Sequence, residues 1–232
     1  MGGLFITGTD TDVGKTMVTG ILARMLRQDG LDLGVWKPVQ SGHALHHSEG
    51  DVMRLKTMSG IADDPSAMCL HAVMEPLAPS LALSRAGIHA TRRDLLNHLK
   101  AYKQAHKNIL IEGAGGFFVP MTEDTTVADL ACEVSYPVLI VARPSLGTVN
   151  HTALTAAYAR QRGLEVAGVI ISGMPEGDDR MEWANIPMIE EYAQCPVLAV
   201  LPWFSDETAD ARADSLRKQW PSAKSYIECF TI

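Results

Sequence analysis

The chain has few cysteines, four in 232 residues, and Cys69, Cys132, Cys195 and Cys229 never fall into Cys-x-x-Cys spacing. Their scatter argues against a disulfide-stapled scaffold or a thiolate zinc site, so buried, reduced thiols are expected. No apolar run is long enough to span a bilayer, and the first strand begins so near residue 1 that a basic, apolar leader has no room. A cytoplasmic location, with no membrane partner, is the expectation. Basic residues are outnumbered, 20 Lys and Arg against 27 Asp and Glu, and a net charge of -7 lacks the basic face that nucleic acid demands. No nucleic-acid partner is therefore expected. Internal repeats and low-complexity tracts are also missing, which excludes a repeat array.

What is present is an alternation of buried-strand and amphipathic-helix patterns. Apolar runs at Leu4 to Thr7, Leu33 to Lys37, Asn108 to Glu112, Pro137 to Ala142, Val166 to Ile171 and Val197 to Leu201 read as strands buried on both faces. Between them, Thr16 to Gln28, Arg92 to Ala105, Thr126 to Glu133, His151 to Gln161 and Met181 to Tyr192 repeat apolar residues three and four apart, the helical period. The fold class that follows is α/β, a mostly parallel sheet with helices on both faces. Val39 to Gly87, with Pro65, Pro76 and Pro79, is less regular and is expected to hold short helices and loops. With 47% hydrophobic residues the chain can bury one good core, and its length leaves no space for a second catalytic unit, so 1–232 reads as a single domain.

The first strand runs into Gly8-Thr9-Asp10-Thr11-Asp12-Val13-Gly14-Lys15-Thr16 and then a helix. Glycines let the backbone turn so that its amides point inward, the helix adds its positive end, and Lys15 reaches the outer phosphates of a nucleotide triphosphate. Thr16 is placed to ligate magnesium. The loop is a variant, because five residues rather than four separate Gly8 from Gly14. The expected fold is thus of the phosphate-loop NTPase kind, with Asp12, Val13, Gly14, Lys15 and Thr16 holding the nucleotide.

Open α/β sheets bind ligands beyond the carboxyl ends of their strands. Two more motifs stand there: Lys37-Pro38-Val39-Gln40-Ser41-Gly42 after the second strand, and Glu112-Gly113-Ala114-Gly115-Gly116 after the third. Glu112 closes an apolar run where such enzymes place a magnesium-binding acid. Lys37 reads as a second phosphate-facing cation in the same crevice.

These motifs, together with Leu146-Gly147-Thr148-Val149-Asn150-His151, resemble the dethiobiotin synthetase family over most of the chain. The resemblance implies an ATP- and magnesium-dependent ligase that carboxylates 7,8-diaminopelargonate with CO2 and closes a ureido ring. It further implies that Lys15 and Lys37 neutralise phosphate and carbamate, that Thr11 and Ser41 bond the carbamate or diamine, and that Thr16, Asp51 and Glu112 surround the metal. Asp51 could equally be the N-cap of a helix. The backbone of Gly113, Ala114 and Gly115 would approach the diamine, or simply form a tight turn. Gly147, Thr148, Val149 and Asn150 would offer free amides at a helix start to the substrate carboxylate of a neighbouring subunit, which makes a homodimer the expected assembly.

One departure concerns the base. Where many relatives carry an adenine-reading asparagine, this chain has Ser172, so contacts from Gly173 and near Pro202 and Trp203 are expected to accept ATP or another triphosphate. His43, His46 and His47 cluster without an accompanying acid or cysteine pattern and read as a polar loop rather than a metal site. Two other readings share the variant loop. An amidoligase of the cobyrinate type would need a fused glutaminase for which there is no space, and a partition-type switch ATPase would carry a lysine where this loop has Asp10.

Overall fold

The computed structural model describes residues 2–177 and 181–229. In chain order the elements are β1 (Gly2–Gly8), α1 (Lys15–Gln28), β2 (Leu33–Trp36), β3 (Val39–Ser41), α2 (Asp51–Ser59), α3 (Pro65–Met68), β4 (His71–Val73), α4 (Pro79–Arg85), α5 (Arg92–Tyr102) and β5 (Asn108–Gly116). There follow α6 (Val127–Val134), β6 (Val138–Ala142), α7 (Thr148–Gln161), β7 (Val166–Met174), a 3-10 turn at Met181–Ala184, α8 (Asn185–Ala193), β8 (Val197–Pro202), α9 (Ala209–Gln219) and α10 (Ala223–Cys229). Six strands form one parallel sheet in the order β2-β5-β1-β6-β7-β8. Every residue of β1, β2 and β6 is buried, with no alternation of wet and dry positions, so both faces of the sheet are covered. Helix α1 packs on α2 and α9, and α7 packs on α8.

The register decides where the site lies. Gly8 pairs with Gly116 and with Val141, Trp36 with Ile111, Ala142 with Ile171, and Met174 with Pro202. The carboxyl ends of all six strands therefore open onto one edge. All six expected strands are present, and the third runs past Glu112 to Gly116 because Gly116 rejoins the ladder beside Gly8 after an irregularity.

Three other expectations change. Val39 to Gly87 contains not only short helices but a second, two-stranded parallel sheet, in which Val39, Gln40 and Ser41 pair with His71, Ala72 and Val73. Met181 to Tyr192 is not one helix: it breaks before Asn185, since Pro187 has no amide for a carbonyl one turn back and fits only in a helix's first turn. Helix α7 starts at Thr148 rather than His151, directly after Gly147 turns the chain with φ of 94°. The four cysteines are all free thiols, Cys69 and Cys195 buried as expected and Cys229 exposed. Among the described residues no helix is long and apolar enough to cross a membrane.

Helix α6, which follows the glycine-rich end of β5, begins with a capping box. The Thr126 hydroxyl accepts from the Asp129 amide while the Asp129 carboxylate accepts from Thr126. Arg162 at the end of α7 donates to the same carboxylate at 2.7 Å. Burial opposes ionisation of Asp129, but these donors outweigh it and hold its pKa at about 2, below the ordinary 3.8. A depressed carboxylate stabilises the fold fully above its unfolded pKa and loses that contribution as pH falls through the folded value. We expect Thr126→Ala to cost about 1 kcal/mol in chemical denaturation. The stability gap between the parent and Asp129→Asn should be constant above about pH 4 and shrink as pH falls towards 2; a gap that stays level down to pH 2 would contradict the assignment.

Candidate functional site

The phosphate loop leaves β1 and returns as α1. Its extra residue is absorbed by Asp12, which adopts a left-handed φ of 56° that aspartate tolerates better than most side chains, and by Gly14 at 94°. Gly14 has no room for a side chain either, because the Ser172 hydroxyl at the end of β7 stands directly over it. Lys15 is folded back so that its Nζ donates to the Asp10 carbonyl at 2.8 Å. Burial, and then the nearby Lys37, push its pKa down to about 8.

Two strands away, Lys37 is almost wholly buried at the end of β2. Its Nζ donates to Glu112 Oε1 at 2.7 Å and to the Gly113 carbonyl at 3.1 Å, and pairs with Asp51 Oδ2 at 2.8 Å. Burial alone would drive this amine towards neutrality, but Asp51 and Glu112 overcome it and hold the pKa above the usual lysine value. In return Lys37 outweighs the burial of Asp51 and holds that carboxyl below its usual range. The Thr16 hydroxyl lies 2.8 Å from Glu112 Oε1 and 3.1 Å from Asp51 Oδ1, and its single proton serves one of them at a time.

Asp51 is the first residue of α2 and not its cap. Gly50 takes the cap position without a side-chain bond, and the Asp51 carboxylate turns to Lys37 and Thr16 instead. What aims α2 is Gln40: its Oε1 accepts from the Val52 amide at 2.8 Å while its Nε2 donates to the carbonyls of His43 and Ala44.

The donor set suits magnesium. Both carboxylates pair with Lys37 and also feel the charge of Lys15, and Glu112 Oε2 is buried without a hydrogen-bond partner. Hard oxygens from one or two carboxylates and a hydroxyl, with phosphate and water completing the shell, are what this ion takes. Among the described residues no group of three or more His, Cys, Asp or Glu side chains converges anywhere, so the carboxylate ligands here number two. His43 and His47 stack their rings at 4.6 Å and hold no such group.

These parts line a cleft of about 1390 Å³ along the sheet edge. Of the residues expected at the site, Thr11, Asp12, Val13, Gly14, Lys15, Thr16, Lys37, Ser41, Asp51, Ala114, Gly115, Gly173 and Trp203 line it. Glu112 lies beneath its floor, fully buried. Gly113 meets the cleft only through its carbonyl and Lys37, and its missing side chain is explained by packing, since a Cβ there would come within 2.9 Å of Val127. Pro202 is outside the lining, one residue before Trp203, which is 79% exposed and lies over Gly173. Gly147, Thr148, Val149 and Asn150 do not line the cleft of their own chain. The Thr148 amide is not free: it donates to the Ser145 carbonyl at 3.2 Å, because the loop closes on itself where α7 begins.

Several lining residues carry no signal in a motif. Arg54 reaches the cleft one turn after Asp51, Arg143 and Ser145 follow β6, and Phe204 and Arg212 come from the C-terminal segment, with the Arg212 guanidinium 5.3 Å from the Phe204 ring centre. Only the strand order would have placed Arg143 beside the phosphate loop.

Comparison with known proteins agrees with this architecture. A family model described as AAA domain matches residues 2–211. Among solved structures, the cell division ATPase MinD of Pyrococcus furiosus superposes with a TM-score of 0.53 at 16% identity, covering 94% of this chain and 98% of that one. A ParA family ATPase from Chlorobium tepidum gives 0.54 at 12% identity, over 97% and 95% of the two chains. At such identities the likeness is one of fold. The ATP-dependent dethiobiotin synthetase BioD of Bacillus thuringiensis strain Al Hakam is 47% identical over 227 residues, 98% of this chain and 91% of its own length. The enzyme of the same name from Bacillus anthracis strain CDC 684 is 48% identical over the same shares. Identity sustained over nearly the full length, on a chain whose loop, lysines and carboxylates meet in one cleft, has a plain meaning: the chain belongs to the family of ATP-dependent dethiobiotin synthetases.

Proposed function

We propose that this protein forms dethiobiotin in an ATP-dependent reaction, taking 7,8-diaminopelargonate and CO2 as its other substrates and working in the cytoplasm. The observation that carries the reading is the convergence of Lys15, Lys37, Thr16 and Asp51 in one cleft of about 1390 Å³, with Glu112 beneath its floor in contact with Lys37 and Thr16. One amine of the diamine captures CO2, forming an N–C bond and releasing a proton, and leaves a carbamate. A carbamate oxygen attacks the γ-phosphorus as the bond to ADP breaks, giving a carbamic-phosphoric anhydride. The second amine then attacks the carbonyl carbon, the C–O bond to phosphate breaks, and the ring closes. Two anions must be brought together before they react, so positioning and charge neutralisation supply most of the catalysis.

The roles follow the sheet. Lys15 faces the phosphates from inside the loop, and Lys37 faces the carbamate and γ-phosphate from the β2 side. Thr11 and Ser41 bond the carbamate or diamine, and Ala114 and Gly115 lie along the diamine chain. Thr16, Asp51 and Glu112 would hold magnesium, which when bound would supply positive charge to the phosphate oxygens. Asp12, Val13 and Gly14 wrap the phosphates by their backbone. The base rests near Gly173, Pro202 and Trp203, where Ser172 offers no paired amide edge, so base preference is relaxed.

The active form is a homodimer. Leu146 just before α7, Leu154 within it, and Phe118 from the loop after β5, edge-on against Tyr158 of α7 at 5.2 Å, leave apolar surface in solvent along the helix that carries Thr148 to Asn150. A partner that covers this surface would bring those residues to its own cleft, where they meet the substrate carboxylate.

The direct test is phosphate release with each of ATP, magnesium, bicarbonate and the diamine omitted in turn, with product mass recorded. Release that needs all four and matches dethiobiotin one for one is expected; release without the diamine would refute the reading. Lys15→Ala and Lys37→Ala should each lose about 2–4 kcal/mol of transition-state stabilisation, roughly thirtyfold to a thousandfold in kcat/KM. Because Lys37→Ala also strands Glu112, its melting curve is recorded beside the kinetics. Turnover constants with ATP and CTP should agree within a few-fold, and a strong preference for ATP would end the idea of relaxed base choice. Leu154→Arg should sediment as a monomer that still binds ADP but no longer turns over; an unchanged dimer would place the interface elsewhere.

A further inference from the structure

Three arginines that line the cleft, Arg54, Arg143 and Arg212, have no part in the reaction described above, and among the described residues Arg143 is the one that pairs with the phosphate loop. Arg143 follows β6, the neighbour of β1 on the side away from Lys37, and its side chain lines the cleft beside the phosphate loop. Among the described residues its one partner is Asp10, with Nη2 3.4 Å from Oδ2 and the two side chains 41% and 52% exposed. A pair so long and so wet contributes little to stability. It also engages only one of the five donors that a guanidinium holds in a planar fork.

The loop does not depend on this contact for its shape. Asp10 Oδ1 already accepts from the Thr11 amide at 2.7 Å, and the Asp10 carbonyl accepts from Lys15 at 2.8 Å. The stem behind Arg143, by contrast, is fixed. Asn185 of α8 donates to the Pro144 carbonyl at 2.8 Å, and the Thr148 amide donates to Ser145 at 3.2 Å. The arginine thus projects from a held backbone towards a loop that has no structural need of it.

The charges at the strand ends explain what it is for. Lys37, beyond β2, is matched by Asp51 and Glu112. Lys15 alone is then left to answer a polyphosphate from within the loop, and nothing described above answers it from the β6 side. We propose that Arg143 is a polyphosphate-binding residue of this cleft, exchanging its loose contact with Asp10 for a bidentate grip on phosphate oxygens of the nucleotide. Arginine in such a fork gives short, charge-assisted hydrogen bonds that a lysine cannot reproduce in geometry. The proposal rests on the ATP-dependent reading given above.

The test is calorimetric titration of the full chain with magnesium ADP and, separately, magnesium tripolyphosphate. The proteins compared are the parent, Arg143→Ala, Arg143→Lys, Asp10→Asn and the double variant Arg143→Ala/Asp10→Asn. Arg143→Ala is expected to weaken both ligands about tenfold to a hundredfold, as loss of charge-assisted hydrogen bonds does, with an unchanged melting temperature. Arg143→Lys should recover only part of that loss. The double variant separates contact from screening: if Arg143 touches phosphate it binds at least about tenfold more weakly than Asp10→Asn alone. Equal affinity of those two would mean that Arg143 merely masks Asp10 and would overturn the proposal, as would parent-like binding by Arg143→Ala. Tripolyphosphate has neither base nor diamine, so these outcomes stand whether or not the parent makes dethiobiotin. Failure of that synthesis alone would count against the proposed function and not against the arginine.

Discussion

A single ammonium between two carboxylates organises the catalytic edge. Lys37 contacts Asp51 from α2, Glu112 from β5 and the Gly113 carbonyl, so one side chain ties three separate elements at the place where the sheet opens. Charges this deep are costly to bring in from water, and their mutual attraction offsets the cost only while all of them are present. Removing Lys37 or Glu112, whose side chains are buried, costs about 3–5 kcal/mol because a charge is stranded, whereas Asp51, 35% exposed, is screened by water and costs less. The trio must therefore be kept or exchanged as a unit. The unpartnered Glu112 Oε2 leaves one buried oxygen of the set open to a divalent ion.

Parallel register converts that local set into a line of chemistry. Read along β2-β5-β1-β6-β7-β8, the strand ends present Lys37, then Glu112 and Ala114, then the phosphate loop, Arg143, Gly173 and Trp203. Under the proposed function this order puts acceptor chemistry at one end, the phosphates in the middle and the base at the other. The sheet sets this order before any loop detail is considered. Gln40 shows how the loops are then trimmed to it, since one amide fixes both the wall around His43 and the start of the helix that carries Asp51.

Much of this was legible in the sequence where local rules suffice. Buried strands announced themselves as unbroken apolar runs, the phosphate loop by its glycines before a helix, and Lys37 and Glu112 by standing at the ends of such runs. What escaped reading depends on partners distant in the chain. The β3 and β4 pairing needs two three-residue segments to meet across some thirty positions, which no periodicity reports. Arg143 belongs to no motif and gains meaning only once β6 is placed next to β1. Asp51 had two local readings, and only its contact with Lys37 separated them. Gly113 also changed meaning, because Val127 rather than a ligand occupies the space its side chain would need.

Trp203 stands almost bare at the mouth of the cleft, while Trp36 and Trp220 are buried in the core and Trp183 is only partly exposed. An indole in water emits at longer wavelength than one packed in protein, and a base stacked on it would both shield and quench it. If the base rests there as proposed, Trp203 is a built-in optical reporter at that end of the cleft, and its red-edge emission would separate an empty cleft from a filled one without any added dye.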